Sequence, residues 1–128
     1  MEFEQSISLP PVAESARTAR LFVRLFLDDP VPPPIAEIAV LLTSELVSNA
    51  VLHAGPHPPN AEIGLRVSTT TQRVRVEVND HSETSPTVGD GAFDKPSGRG
   101  MHLINRLASR WGIEPYTHGK TVWFAIDF

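Results

Sequence analysis

A chain of α/β class is predicted by three runs of residues. Residues 61–68 and 73–80 alternate apolar and polar side chains on either side of a short polar turn, as in a hairpin with one solvated face. Residues 35–50 instead repeat apolar side chains at helical spacing, which sets Ile35, Ile38, Ala39, Leu42, Leu46 and Ala50 on one face. Alternation returns at the end of the chain, where Val122, Phe124, Ile126 and Phe128 share one face of a last strand. With 128 residues, of which 41% are hydrophobic and 20% charged, positions 1–128 are expected to form one domain around one core.

The remaining elements follow in order. Phe3, Ile7 and Leu9 at odd positions predict a short strand over 2–9. Pro10 and Pro11 are expected to open a helix reaching about Asp28, with Ala16, Ala19, Phe22, Val23 and Phe26 on a broad apolar side. The central helix begins at the prolines 32–34 and carries His53 in its last turn, where the helix dipole favours a histidine, with Gly55 as its C-cap. Residues 81–97 show no periodicity, and an irregular stretch of this length in a small domain reads as a lid. Gly98-Arg99-Gly100 opens a third helix with Leu103, Ile104, Leu107, Ala108 and Trp111 on one side. Residues 111–116 form a strand, 117–120 a turn, and 121–128 the last strand. The twelve prolines cluster between elements and read as punctuation.

Composition excludes several chemistries. The chain has no cysteine, which rules out disulfides, thiol catalysis and cysteine metal sites and suits a cytoplasmic setting. The net charge of −4 gives no electrostatic reason to expect nucleic-acid binding. No apolar run is read as a membrane span and no signal peptide opens the chain. The histidines are too scattered to form a metal site from protein ligands alone. Gly119-Lys120-Thr121 is not a phosphate loop of the Walker type, because its first glycine is missing and a strand follows.

Four places hold candidate functional residues. Asn49 falls inside the apolar stripe of the central helix, and Glu45 lies one turn earlier at its edge. A core-facing amide without partners costs roughly 1–3 kcal/mol, and a carboxylate costs more. Two readings are open: a cleft in which the pair touches a ligand, or an amide bonded to nearby backbone beside an exposed acid. Asp80 continues the inward register of Val74, Val76 and Val78, so it either caps a loop or meets a donor from protein or ligand. Gly98 and Gly100 leave backbone N–H groups open to an anion, or simply give a flexible start to the helix. Arg17, Arg20 and Arg24 form a stripe on the first helix, either solvated or suited to an acidic partner.

The order of these features resembles the histidine-kinase-like ATPase superfamily, and within it the single-domain anti-sigma factor serine/threonine kinases of bacteria. The resemblance rests on Glu45-Leu46-Val47-Ser48-Asn49-Ala50-Val51-Leu52-His53-Ala54-Gly55, on Gly98-Arg99-Gly100-Met101-His102-Leu103-Ile104, and on Gly119-Lys120-Thr121-Val122-Trp123-Phe124. It implies a two-layer α/β (α+β) sandwich of the Bergerat type: a mixed, mainly antiparallel sheet with helices on one face.

What the resemblance implies about function is equally specific. ATP and Mg²⁺ would be the cofactors. Asn49 would hold Mg²⁺ through its side-chain oxygen, Asp80 would accept the adenine amino group, and Thr121 would lie near the adenine. Gly98, Arg99 and Gly100 would meet the phosphates, and Glu45 would be the general base. The partners would be a sigma factor, an anti-anti-sigma protein of the STAS type and a second copy in a homodimer, with no direct nucleic acid and no membrane. This sequence departs from the superfamily at one point. The aspartate is usually followed by x-G-x-G, whereas here His81-Ser82-Glu83-Thr84 follow Asp80. The alternative is therefore a protein-binding regulator without transferase activity, either gated by nucleotide or independent of it.

Overall fold

The computed structural model describes residues 2–29, 31–54, 61–81, 96–116 and 119–128, with side chains at all of them except 54 and 96–100. The expected cap at Gly55, the loop 56–60, the lid residues 82–95 and the turn residues 117–118 lie outside the described residues. The elements run β1 (Phe3–Leu9), α1 (Glu14–Phe26), α2 (Pro33–Ala54), β2 (Ile63–Thr69), β3 (Arg73–Asp80), α3 (Pro96–Leu107), β4 (Arg110–Tyr116) and β5 (Gly119–Asp127).

The strands form one five-stranded sheet in the order β1-β2-β3-β5-β4. Every pairing is antiparallel, so the sheet is not mixed as expected. Register aligns the apolar alternation of distant segments. Ile7, Leu65, Val78, Val122 and Ile113 make one row across all five strands, and Val67, Val76, Phe124 and Trp111 make the next. These rows face the helices, and Leu65, Val67, Val76, Val78 and Phe124 are almost wholly buried. The opposite face carries Ser6, Arg66, Glu77 and Trp123, with Arg66 and Arg75 both paired to Glu77 and the Arg75 guanidinium 4.1 Å from the Trp123 ring centre. Stacking of this kind suits a face that keeps one side in water.

The core helix α2 packs on β2, β3 and β5 with one side and on α1 with another. Its buried set is wider than the predicted stripe, because Val40, Thr43 and Val47 join Ala39, Leu42, Leu46 and Ala50. By length and composition α2 is apolar enough to cross a bilayer, contrary to the expectation from sequence, but half of that stretch is buried inside the protein. The α1 helix starts at Glu14, later than its prolines predict, because the backbone turns at 11–13 and the Ser15 hydroxyl donates to the Pro10 carbonyl. Ser15, Ala16, Ala19 and Val23 are its buried side. Two of the three stripe arginines turn toward α2: Arg20 donates to the Ser44 hydroxyl at 2.9 Å, and Arg24 lies 3.7 Å from the Glu37 carboxylate. In α3, Met101 and Ile104 face the core while Leu107, expected there, is 39% exposed.

These burials set an expectation for stability. Leu42 is fully buried between layers whereas Leu25 on α1 is 77% exposed. Leu42→Ala should lower the unfolding free energy by ~2–5 kcal/mol in a urea titration, and Leu25→Ala should change it by no more than ~0.5 kcal/mol.

Candidate functional site

The C-terminal half of α2, the end of β3, the start of β5 and the first described side chain of α3 converge on one small cavity. Its walls are Leu46, Asn49, Ala50, His53, Val78, Asp80, Met101, Lys120 and Val122. Helical spacing supplies the first wall, because 46, 49, 50 and 53 fall on one side of α2. Strand alternation supplies the others: Asp80 follows Val78 by two residues, and Lys120 precedes Val122 by two. The polar groups thus sit at the end of an otherwise apolar sheet face.

Asp80 and Lys120 are cross-strand partners in the β3–β5 register and are 3% and 2% exposed. The Lys120 Nζ lies 3.2 Å from Asp80 Oδ2 and 3.3 Å from Oδ1. A buried pair of this kind is held by mutual neutralisation, and removing one partner typically costs ~3–5 kcal/mol. The backbone beneath it is fixed. The Tyr116 hydroxyl donates to the Asp80 carbonyl at 2.6 Å, and any Cβ at Gly119 would stand 2.0 Å from that same oxygen. Glycine is therefore required at 119 by close approach of the two strands.

The predicted residues distribute unevenly around this cavity. Asn49 and Asp80 line it together. Glu45 lies on the same helix one turn before Asn49, half-buried and just outside the cavity wall. Gly98, Arg99 and Gly100 lie in the first turns of α3 after Pro96, and their surroundings are outside the described residues. Thr121 does not share the cavity. It projects from the opposite face of the sheet, where its hydroxyl donates to Asn79 Oδ1. Lys120, one residue earlier, occupies the inward position instead. Its signal was present in the sequence, since the even register of Val122, Phe124 and Ile126 extends back to it. His53, expected from its place in the last turn of α2 to be a helix-dipole partner, also stands one turn beyond Asn49 and faces the same space.

Two buried nitrogens in the cavity, Asn49 Nδ2 and His53 Nδ1, have no hydrogen-bond partner among the described residues. Such groups in an otherwise satisfied interior mark a place for a polar ligand or water. Burial, followed by the nearby Lys120 charge, pushes the His53 pKa below its ordinary 6.5, against a smaller opposing pull from Asp80. His53 is therefore held neutral, not charged as a helix-dipole partner would be. The unfolded chain takes up this proton near pH 6.5 and the folded chain only at lower pH. In that window the unfolded state holds more protons, so the stabilisation is complete above pH 6.5 and is lost as pH falls through the folded value. His53→Gln should flatten the fall in stability on acidification below about pH 6.5, measured by urea unfolding at a series of pH values.

With this geometry in view, the likenesses to known proteins are informative. No curated protein matches the chain. Among solved structures, it is similar to the histidine kinase domain of the blue-light activated histidine kinase of Erythrobacter litoralis EL346, with a TM-score of 0.61 and 20% identity. That likeness covers 91% of this chain and 60% of the other, so the chain spans less than two thirds of the length of the chain it matches, and the likeness concerns the fold. Residues 9–126 match the family described as histidine kinase-like ATPase domains. Since that match takes in every described element from the end of β1 into β5, the chain belongs to the histidine kinase-like ATPase domain family.

Proposed function

We propose that the chain is an ATP·Mg²⁺-binding regulator of the anti-sigma type, which sequesters a sigma factor and phosphorylates a serine or threonine of an anti-anti-sigma antagonist. Membership of an ATPase-domain family points to an ATP-binding regulatory role. One observation carries the reading to particular residues: Asn49, buried to 8% exposure and with Nδ2 unpaired among the described residues, shares a cavity with Asp80 and stands one turn from Glu45.

The donor set fits the cofactor. Among the described residues no three His, Asp or Glu side chains cluster as a metal site, so a bound ion would rely on the Asn49 oxygen together with phosphate and water oxygens. Mg²⁺ accepts such a shell because it prefers oxygen ligands and keeps its waters. The Asp80 carboxylate is an acceptor of the kind an adenine amine requires, and the Lys120 ammonium neutralises its charge. Bound ATP supplies the transferable phosphoryl group. Glu45, at the cavity edge and half-buried, would take the proton from the acceptor hydroxyl at its carboxylate. Arg17 is exposed, with no ion pair among the described residues, and is the stripe arginine best placed for an acidic partner.

A second reading is favoured by a separate observation. The Lys120–Asp80 pair, together with the absence of glycines in the four residues after Asp80, favours a protein-binding regulator that turns over slowly or not at all. Two experiments separate these readings. Asn49→Ala should abolish Mg²⁺-dependent ATP binding in titration calorimetry. Glu45→Gln should bind ATP as before but transfer phosphate to an antagonist ~10²–10⁴-fold more slowly. Unimpaired transfer by Glu45→Gln would remove the base assignment, and transfer absent from the wild type would leave the binding regulator. For the partner surface, Arg17→Glu should weaken capture of a sigma factor or a STAS-type antagonist by roughly tenfold or more while ATP affinity is unchanged, as a pull-down paired with calorimetry would register.

A further inference from the structure

We propose that the exposed edge of β1 is a homodimer interface: Phe3–Leu9 of two copies pair antiparallel about Ser6 and join the two sheets into one. The inference is independent of the nucleotide reading.

Register decides which backbone groups this edge offers. At the β2–β3 turn the Thr70 N–H donates to the Arg73 carbonyl, one step beyond the Thr69–Val74 pair. Bonded and non-bonded pairs alternate along an antiparallel ladder. The even residues of β2 therefore turn their N–H and C=O groups to β3, and Ile63, Leu65, Val67 and Thr69 turn theirs to β1. Their partners there are Leu9, Ile7, Gln5 and Phe3. Glu4, Ser6 and Ser8 point both groups away from the sheet, where they have no backbone partner among the described residues. All three residues are exposed.

The opposite edge is built differently. The same alternation, carried through β3 and β5, turns the backbone of Trp111, Ile113 and Pro115 of β4 outward. Proline has no N–H to offer, and it is one of the devices that blunt a sheet edge. The seven residues of β1 contain neither proline nor lysine. An edge left open in this way is a template for another strand.

The sequence of β1 selects both the occupant and the register. Residues 4, 6 and 8 pair among themselves only when a two-fold axis passes through Ser6. Ser6 then faces Ser6 of the second copy, each Glu4 faces a Ser8, and every outward N–H and C=O gains a partner. An axis at Glu4 would set two carboxylates directly opposite, which is unfavourable. An axis at Ser8 would set Ser6 opposite Pro10, which has no N–H. The Ser6 register also brings Phe3, 55% exposed, opposite Leu9 of the second copy on the helix-bearing face. A large exposed aromatic side chain thereby gains an apolar cross-strand neighbour.

The chain has no cysteine, so one introduced thiol reports the register. Bonded cross-strand residues have Cα atoms ~5.5 Å apart, within disulfide reach. On mild oxidation of the whole chain, Ser6→Cys should link to itself and Glu4→Cys should not, whereas Glu4→Cys mixed with Ser8→Cys should link. In parallel, sedimentation over a range of concentrations gives the mass of the wild type and of Ser6→Pro, with circular dichroism to verify folding. The wild type should be a dimer. Proline at 6 removes an outward donor and leaves the β1–β2 bonds in place, so the folded variant should have its dimer dissociation constant raised at least ~10-fold. A wild type that is monomeric at every concentration overturns the second copy as occupant and leaves the edge to a strand of another protein. A folded Ser6→Pro that dimerises as tightly as the wild type overturns the β1 edge in favour of another face. Self-linking of Glu4→Cys in preference to Ser6→Cys overturns the register. If Ser6→Pro does not fold, the cysteine cross-links decide alone.

Discussion

The two-sided burial of α2 is the constraint on which the structure depends. One helix has to pack on the sheet, with Leu46 and Ala50 beside Val78 and Val122, and at the same time on α1 and α3. Its solvent side carries Glu37, Leu41, Ser48 and Leu52. Mid-helix, the buried Thr43 satisfies itself on the Ala39 carbonyl, whereas Asn49 lies nearer the helix end, where the apolar sheet face also gives way to Asp80 and Lys120. The site is thus a consequence of where two apolar surfaces run out together. An amide buried within such a surface has to be matched by something, since its desolvation is otherwise uncompensated.

Much of this arrangement was legible in the sequence. Alternation in β2 and β3 fixed which residues point inward, including Asp80 at the end of the run. The helical wheel placed Asn49 within the apolar stripe, and both residues line one cavity. These signals are local periodicities, and local periodicity survives folding when one face is buried throughout. The same rule, extended two residues back from Val122, would have selected Lys120 over Thr121. At His53, dipole arguments suggested a charged histidine, whereas burial beside a lysine keeps it neutral.

Other features could not have been read from the sequence. That Lys120 stands opposite Asp80 depends on the register between β3 and β5, two strands separated by a helix and another strand in the chain. Nothing in either segment specifies that offset; it follows from matching Val74, Val76 and Val78 to Ile126, Phe124 and Val122 across the sheet. The start of α1 depends likewise on contacts outside its own pattern. Proline is compatible with a first helical turn, but the Pro10 carbonyl here accepts hydrogen bonds from Val12 and Ser15 and lies outside the helix. The arginine stripe read as free for partners is likewise partly committed to Ser44 and Glu37, contacts that exist only once α1 lies on α2.

The close approach at Gly119 gives two adjacent positions opposite mutational characters. At 119 any side chain must displace the Asp80 carbonyl, so the position has almost no freedom to drift. At 120 the side chain projects into the cavity, where its charge is matched to the buried Asp80 carboxylate opposite, so it is constrained by chemistry and not by backbone contact. Framework and function are therefore written in consecutive residues of one strand. A change in the chemistry of the cavity at 120 therefore calls for a matching change at 80, while the strand pairing that presents both is held by the residue before it.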